Sequence, residues 1–421
     1  WFSDSNSLLI KVIPEDKPEL INSNIVVPVG PKVSTNFGEK AQNRTYQDLL
    51  KNKVDEHNFQ QLVTSDLFTV SINGKAKKWL ESNMYTSISI SPDGNYVMIT
   101  KINRPFSYLV TYRSFPTSVD VYSKDAKLIS NLVNVPLIEE LPKGFMSVRT
   151  GKRSFSWRSD KPSVLTYVVA LDGGDPQKNT KYRDEIFEIN APFNGKGKRI
   201  LKTINRFRGI DWGNSSFAIA YDYWWNTRNE KTYVFNPSNN KKSKIIFDRN
   251  YQDIYSDPGF FISERNTFNK NVIKINSGKA FLIGDGFSDK GQFPFIDQFD
   301  TKSFEKKRLY QSSYLDKYES IYDFDPVKKE LFVRIESSVD FPNYFFKTLS
   351  ENNLRKITSF ESPFEKIKDA YKEVIRYQRS DGLELSGILY LPVNYNLQSK
   401  EKLPMILWAY PREFKERKSA G

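Results

Sequence analysis

The chain alternates between short runs of apolar and polar residues with a period of two, broken at intervals by polar turns. That period places alternate side chains on opposite faces of a strand, so the pattern predicts many short, half-buried strands. A degenerate unit recurs: a Trp or Phe beside Ser or Asp, then a polar turn, then an alternating strand. Its copies are Trp1-Phe-Ser-Asp-Ser-Asn-Ser-Leu-Leu-Ile10, Ile88-Ser-Ile-Ser-Pro-Asp-Gly-Asn-Tyr-Val-Met-Ile-Thr100 and Phe155-Ser-Trp-Arg-Ser-Asp-Lys-Pro-Ser-Val-Leu-Thr-Tyr167. Ile210-Asp-Trp-Gly-Asn-Ser-Ser-Phe-Ala-Ile-Ala220 and Tyr322-Asp-Phe-Asp-Pro-Val-Lys-Lys-Glu-Leu-Phe-Val-Arg334 continue the series, with a weaker copy at Phe261-Ile-Ser-Glu-Arg-Asn266 beside Asn276-Ser-Gly278.

In Ser91-Pro-Asp-Gly94 the proline presets φ and the glycine permits positive φ, which suits a hairpin turn. Second hairpins are expected at Val119–Ile129 and around Asn236-Pro-Ser-Asn-Asn240, with the cluster Lys241-Lys-Ser-Lys244 in the turn. Two hairpins per unit make four strands, the blade of a β-propeller. The intervals exceed the ~40–50 residues of compact propeller repeats, so several blades must carry inserted loops. Six copies, the first already cut at residue 1, predict five to six blades.

Thr45–Leu62 breaks the pattern with apolar residues at helical spacing after Asn43, and is expected as a helical insertion near 44–62. Val27-Pro-Val-Gly-Pro-Lys-Val33 before it reads as an exposed arm. After residue 364 the pattern changes again. Ala370–Pro392 reads as two strands around Asp381-Gly382. Leu403-Pro-Met-Ile-Leu-Trp-Ala-Tyr410 reads as a continuous apolar strand of the kind buried on both faces in parallel sheets. The expected division is a mainly β region over 1–364 and the start of a second domain over 365–421.

Composition agrees with strands. Aromatics reach 14% of the 421 residues, while Met occurs only four times. The net charge of +13 suggests either a nucleic-acid surface or lysines scattered over solvated strand faces. The second reading is favoured, because the basic residues spread from end to end. The absence of cysteine excludes disulfides, thiolate metal sites and a Cys nucleophile, without separating cytoplasm from periplasm. No apolar run reaches the ~18 residues of a membrane-spanning helix. The chain opens without a Met, so the natural N-terminus is expected to lie outside it.

Chemistry-bearing motifs are few. The single histidine, His57, sits in the expected helical insertion among charged neighbours, where a surface or packing role is favoured. There is no Gly-x-Ser-x-Gly elbow, Walker loop, dinucleotide fingerprint or two-histidine metal motif. Asp323-Phe-Asp325 and Asp285–Gly291 lack the ligand series of an EF-hand and read as turns. No cofactor or metal is expected.

Tyr371-Lys-Glu-Val-Ile-Arg-Tyr-Gln-Arg-Ser-Asp-Gly382 and Leu407-Trp-Ala-Tyr-Pro-Arg-Glu-Phe-Lys415 resemble the entry into the hydrolase domain of glutamyl endopeptidases, a branch of the prolyl oligopeptidase family. Upstream, Arg44–Lys51, Asn103-Arg-Pro-Phe-Ser107, Ser147-Val-Arg149, Trp157–Ser163, Asp172-Gly-Gly-Asp175 and Asp253–Gly259 resemble the same branch, so the likeness spans nearly the whole chain. It implies a propeller of seven or eight blades that roofs the active site, followed by an α/β-hydrolase domain. It also implies peptide substrates and a Ser-Asp-His triad beyond residue 421. Bacterial relatives are often exported and plant ones lie in the chloroplast.

The resemblance further implies that Tyr410, after the apolar strand, lends its hydroxyl to an oxyanion hole; the competing role is a tyrosine capping a buried strand. Pro411-Arg-Glu413 stands where the branch more often has Pro-Gly-Glu. A glutamyl-directed peptidase must hold a carboxylate, and arginine bonds both oxygens. Arg104, Arg149, Arg153 and Arg158 are the candidates, with structural salt bridges as their competing role. The other class of reading is a non-catalytic propeller scaffold, which has no need of the Leu403–Tyr410 run.

Overall fold

The structure, a computed structural model, describes residues 1–22, 46–349, 353–399, 402–410 and 412–419. Contacts divide the chain into two compact units, Trp1–Tyr251 with Ser263–Ile275, and Gln252–Ile262 with Asn276–Gly421.

Five of the six expected copies each fall in one antiparallel sheet, and the copy at Phe261–Asn266 is split between the fifth sheet and a two-stranded ribbon. The first sheet has three strands, Ser7–Val12, Ser65–Ser71 and Ala76–Asn83. The second runs Tyr85–Ile90, Tyr96–Ile102, Thr117–Ser123 and Leu128–Val135. The third runs Arg153–Trp157, Val164–Ala170, Asp184–Asn190 and Lys198–Thr203. The fourth runs Arg206–Asn214, Phe217–Trp224, Asn229–Asn236 and Asn239–Asn250. In the second unit a fifth sheet joins Phe260–Phe261, Lys279–Gly284, Phe295–Asp300 and Lys306–Gln311. A sixth joins Lys317–Asp325, Glu330–Ser337, Asn343–Thr348 and Leu354–Lys356. These four-stranded meanders are the blade unit of a β-propeller, and the fold is mainly β.

The two-residue period explains the stacking. In Tyr96–Ile102, Val97 and Ile99 join Phe2, Leu67 and Trp79 of the first sheet's core. Met98, between them, points the other way into Leu165 and Tyr167 of the third sheet. The third sheet repeats the device, with Val168 and Ile186 packed on Trp212, Ala218 and Ala220 of the fourth. In the second unit, Phe281 and Ile283 of the fifth sheet meet Phe324, Leu331 and Val333 of the sixth. Each such aliphatic side chain contributes about 1.5–3 kcal/mol by leaving water.

Directional bonds set the angle between neighbours. The indole N–H of Trp79 donates to the Lys124 carbonyl at 2.7 Å, and that of Trp157 to the Ser89 carbonyl at 3.0 Å, so the second sheet is gripped from both sides. The turn Ser91–Gly94 closes with Gly94 at φ +77°, as its sequence predicts. Asp93 of that turn accepts from the Ser163 hydroxyl at 2.6 Å, which ties it to the next sheet's turn.

Between the third and fourth sheets lies a buried ionic cluster. Arg206 clamps Asp172 with both terminal nitrogens, at 2.7 and 2.9 Å, and reaches Asp184 at 3.2 Å. Arg183 adds a bond to Asp172 at 2.9 Å, and Arg153 pairs with Asp184 at 2.5 Å. Three guanidinium groups thus face two fully buried carboxylates.

Some expectations are corrected. The helix spans Lys53–Val63, not 44–62, because Asn52 caps it by accepting from the Asp55 N–H at 2.9 Å. Asn43 and Val27–Val33 lie outside the described residues. Lys241–Lys244 does not form the turn. Pro237 and Ser238 do, and the lysines continue the strand Asn239–Asn250. Strands flank Asn276–Gly278 as expected: Asn271–Ile273 pairs with Ser263–Arg265, and Lys279–Gly284 joins the fifth sheet. Lys372–Gln378 and Glu384–Tyr390 form the expected hairpin about Asp381-Gly382. Leu403–Tyr410 forms no strand: Ile406 is 97% and Trp408 89% exposed. A strand exists through its ladder partners, and no described segment pairs with this one.

Two outcomes are expected. Asp172→Asn leaves Arg206 and Arg183 short of a buried anion and should lower unfolding free energy by about 3–5 kcal/mol in a denaturant titration. Glu56, buried on the helix, is pushed up by desolvation, but bonds from Tyr108, Lys53 and Arg104 outweigh this and hold its pKa at about 2. Its contribution is therefore complete above the ordinary carboxylate pKa near 4.5 and is lost as pH falls toward 2. Melting temperature should fall more steeply over that window in the parent than in Glu56→Gln.

Candidate functional site

The loop between the second and third sheets builds a candidate site. Its backbone is pinned twice. Arg206 Nε donates to the Met146 carbonyl at 2.9 Å, and the Val148 N–H donates to the Gly174 carbonyl at 3.1 Å. Gly174 stands at φ +82°, where a Cβ would meet the Val148 carbonyl oxygen at 1.9 Å. Only glycine permits this approach. Asp172 fixes the turn from within by accepting the Gly174 N–H at 2.9 Å while it holds Arg206. The Asp172-Gly-Gly-Asp175 string is thus the hinge on which the loop is seated.

Beside this loop is a cavity of about 440 Å³, lined by residues 133–142, 148–151 and Gly173. Arg149 stands in its wall. Its Nη1 donates to the Thr150 carbonyl at 3.0 Å and its Nη2 to the Lys152 carbonyl. Burial, and then the neighbouring Arg153 charge, lower its pKa from the ordinary arginine value. Glu139 and Glu140 line the same cavity from exposed positions, and the Ser107 hydroxyl donates to Glu139.

The four arginines fall in different places. Arg153 belongs to the ionic cluster through Asp184. Arg158 is 2% exposed, bonds Asp160 and Glu188, and stacks over Trp212 with its guanidinium 4.0 Å from the ring centre. Arg104 joins the helix to its sheet through Glu56 at 2.8 Å and Gln60, and lies over Phe106. Arg149 and Arg153 are brought together; Arg104 and Arg158 have separate partners. Among the described residues Arg149 is the one of the four without a carboxylate partner.

Tyr410 is 83% exposed. His57 Nε2 lies 3.2 Å from the Glu19 carbonyl, a packing contact of the helix. Arg183 and Arg206, which seat the loop, escaped the sequence reading. Isolated arginines at strand ends carry no signal until the fold brings them to Asp172 and Asp184.

No family model matches the chain. All of it aligns at 35% identity with 47% of a rice (Oryza sativa subsp. japonica) protein named "Probable glutamyl endopeptidase, chloroplastic". At 33% identity, 99% of it aligns with 45% of an Arabidopsis thaliana protein of the same name. The chain therefore spans about half the length of these curated relatives. Among solved structures, the Pyrococcus horikoshii acylaminoacyl peptidase shares 16% identity at a TM-score of 0.41, over 82% of this chain and 49% of that one. At that distance the likeness carries no argument about function. Along its length the chain is therefore similar to two proteins named glutamyl endopeptidase, the branch that its sequence resembles.

Proposed function

We propose that this chain is the propeller and hydrolase-entry portion of a serine peptidase that cleaves peptide bonds after glutamate or aspartate. The observation that carries the reading is alignment of the whole chain with two relatives named glutamyl endopeptidase. The domain division is residues 1–364, propeller, and 365–421, start of the α/β-hydrolase domain. In its favour, the meanders end with Leu354–Lys356, and the next paired strands form an isolated hairpin.

The nucleophile, base and orienting acid are assigned beyond residue 421. The one histidine of the chain is engaged with a backbone carbonyl, and no Gly-x-Ser-x-Gly elbow occurs. Tyr410 supplies one oxyanion donor. Its phenol O–H stabilises charge that develops on the scissile carbonyl oxygen, an effect worth about 10²–10³ in kcat per donor.

In the full-length protein, Tyr410→Phe is expected to lower kcat on a Glu-containing reporter peptide by about 10²-fold with KM little changed. An unchanged kcat removes Tyr410 from the chemistry. Failure of the full-length protein to prefer Glu over Gln at the cleavage position overturns the substrate reading. The 421 residues alone are expected to be inactive and prone to aggregate. An active, monodisperse preparation would contradict that assignment.

A further inference from the structure

We propose that the cavity walled by Arg149 is a subsite that binds one carboxylate of a peptide, with Arg149 as its specificity-determining residue. The inference deepens the peptidase reading and rests on it for the nature of the ligand.

Three observations converge on it. First, Arg149 is the candidate arginine left without a carboxylate. Arg104, Arg153 and Arg158 each have theirs, in Glu56, Asp184, and Asp160 with Glu188. A partly buried guanidinium bonded to two backbone carbonyls has no carboxylate at ion-pair distance among the described residues, and an incoming carboxylate supplies one. Second, the surroundings keep the deficit. Arg153, Arg183 and Arg206 outnumber Asp172 and Asp184 just behind the loop, so the nearest buried carboxylates are already committed. Third, the guanidinium is held by a fixed loop. The Gly174 approach and the Arg206–Met146 bond seat the backbone on which Arg149 stands, so little ordering remains to be done on binding.

The cavity also limits the ligand. Its volume of about 440 Å³ accommodates a side chain and lies within the usual range for small-ligand pockets. Apolar groups of Pro136, Leu137 and Ile138 line it and suit an aliphatic stem. Glu139 and Glu140 also line it from exposed positions and oppose added negative charge, which disfavours a phosphate or a polyanion more than a single carboxylate.

That carboxylate could belong to an acidic side chain or to a peptide C-terminus, and the test separates the two. Binding to the full-length protein with its nucleophile replaced by alanine is measured for three peptides of one sequence. They carry internal Glu with an amidated end, internal Gln with a free end, or internal Gln with an amidated end. Arg149→Ala is expected to weaken a carboxylate peptide by about 10- to 100-fold and leave the Gln amide unchanged, with Arg149→Lys restoring part of the loss. Loss confined to the internal-Glu peptide identifies a side-chain subsite; loss confined to the free-end peptide identifies C-terminal capture.

Thr150→Glu keeps Arg149 and places a competing carboxylate beside it, and is expected to weaken the same peptide by a similar factor. Equal affinities across the three peptides, or affinities that neither Arg149→Ala nor Thr150→Glu alters in proteins of parental melting temperature, overturn the proposal. Arg149-dependent binding in a protein whose intact form cleaves none of the peptides would sink the peptidase reading and leave the subsite standing.

Discussion

The clamp of Arg206 on Asp172 is the interaction on which most of the first unit's organisation turns. A carboxylate buried without a partner is costly, and an arginine beside it is equally costly alone. Together they make a two-pronged bond whose geometry tolerates little slippage. The bond spans the third and fourth sheets, and the same arginine then reaches out to the Met146 carbonyl. One side chain therefore sets the spacing of two sheets and the height of the loop that carries Arg149. Hydrophobic packing alone could not do this, since burial is proportional to area and has no preferred direction.

The sheets contribute stability and the polar groups contribute registration. Val97, Ile99 and Met98 serve two interfaces from one strand, because successive side chains leave it on opposite sides. Trp79 and Trp157 add indole bonds at the rims, where a sliding sheet would lose them. The sixth sheet shows the same combination. Its aliphatic core encloses Lys347, Glu319 and Tyr310 in a closed set of bonds, with Lys347 over the Tyr310 ring.

A fold held in this way leaves some charge for use. Most arginines that the sequence offers as ligands for a substrate are consumed by the framework. Arg158 closes the third sheet onto Trp212, and Arg104 fastens the helix through Glu56. What remains is Arg149, on a loop whose backbone is immobilised by groups that have no chemistry of their own. Of the four arginines that the sequence offers, Arg104, Arg153 and Arg158 are paired with carboxylates, and Arg149 has none among the described residues.

The sequence by itself determined the class of fold, the sheet-by-sheet repetition and the family. Period-two alternation and the Ser-Pro-Asp-Gly type of turn are local properties, and every copy of the repeat but Phe261–Asn266 fell within one sheet. The helix was legible as a helix, but its start was not. The sequence pointed to Asn43 ahead of the helix, whereas Asn52 is its cap, and packing of Phe59 and Val63 beside Phe106 and Phe115 belongs to that register. Leu403–Tyr410 read as a buried strand because apolarity is local, whereas strand pairing depends on partners elsewhere. The tertiary structure alone decided which arginine is which. Arg104, Arg149, Arg153 and Arg158 are alike in sequence, and long-range approach brings Glu56, Asp184 and Glu188 to three of them, with Asp160 a local partner of Arg158. Charge compensation between distant residues is a property of three-dimensional neighbours, and the order of residues along the chain does not encode it.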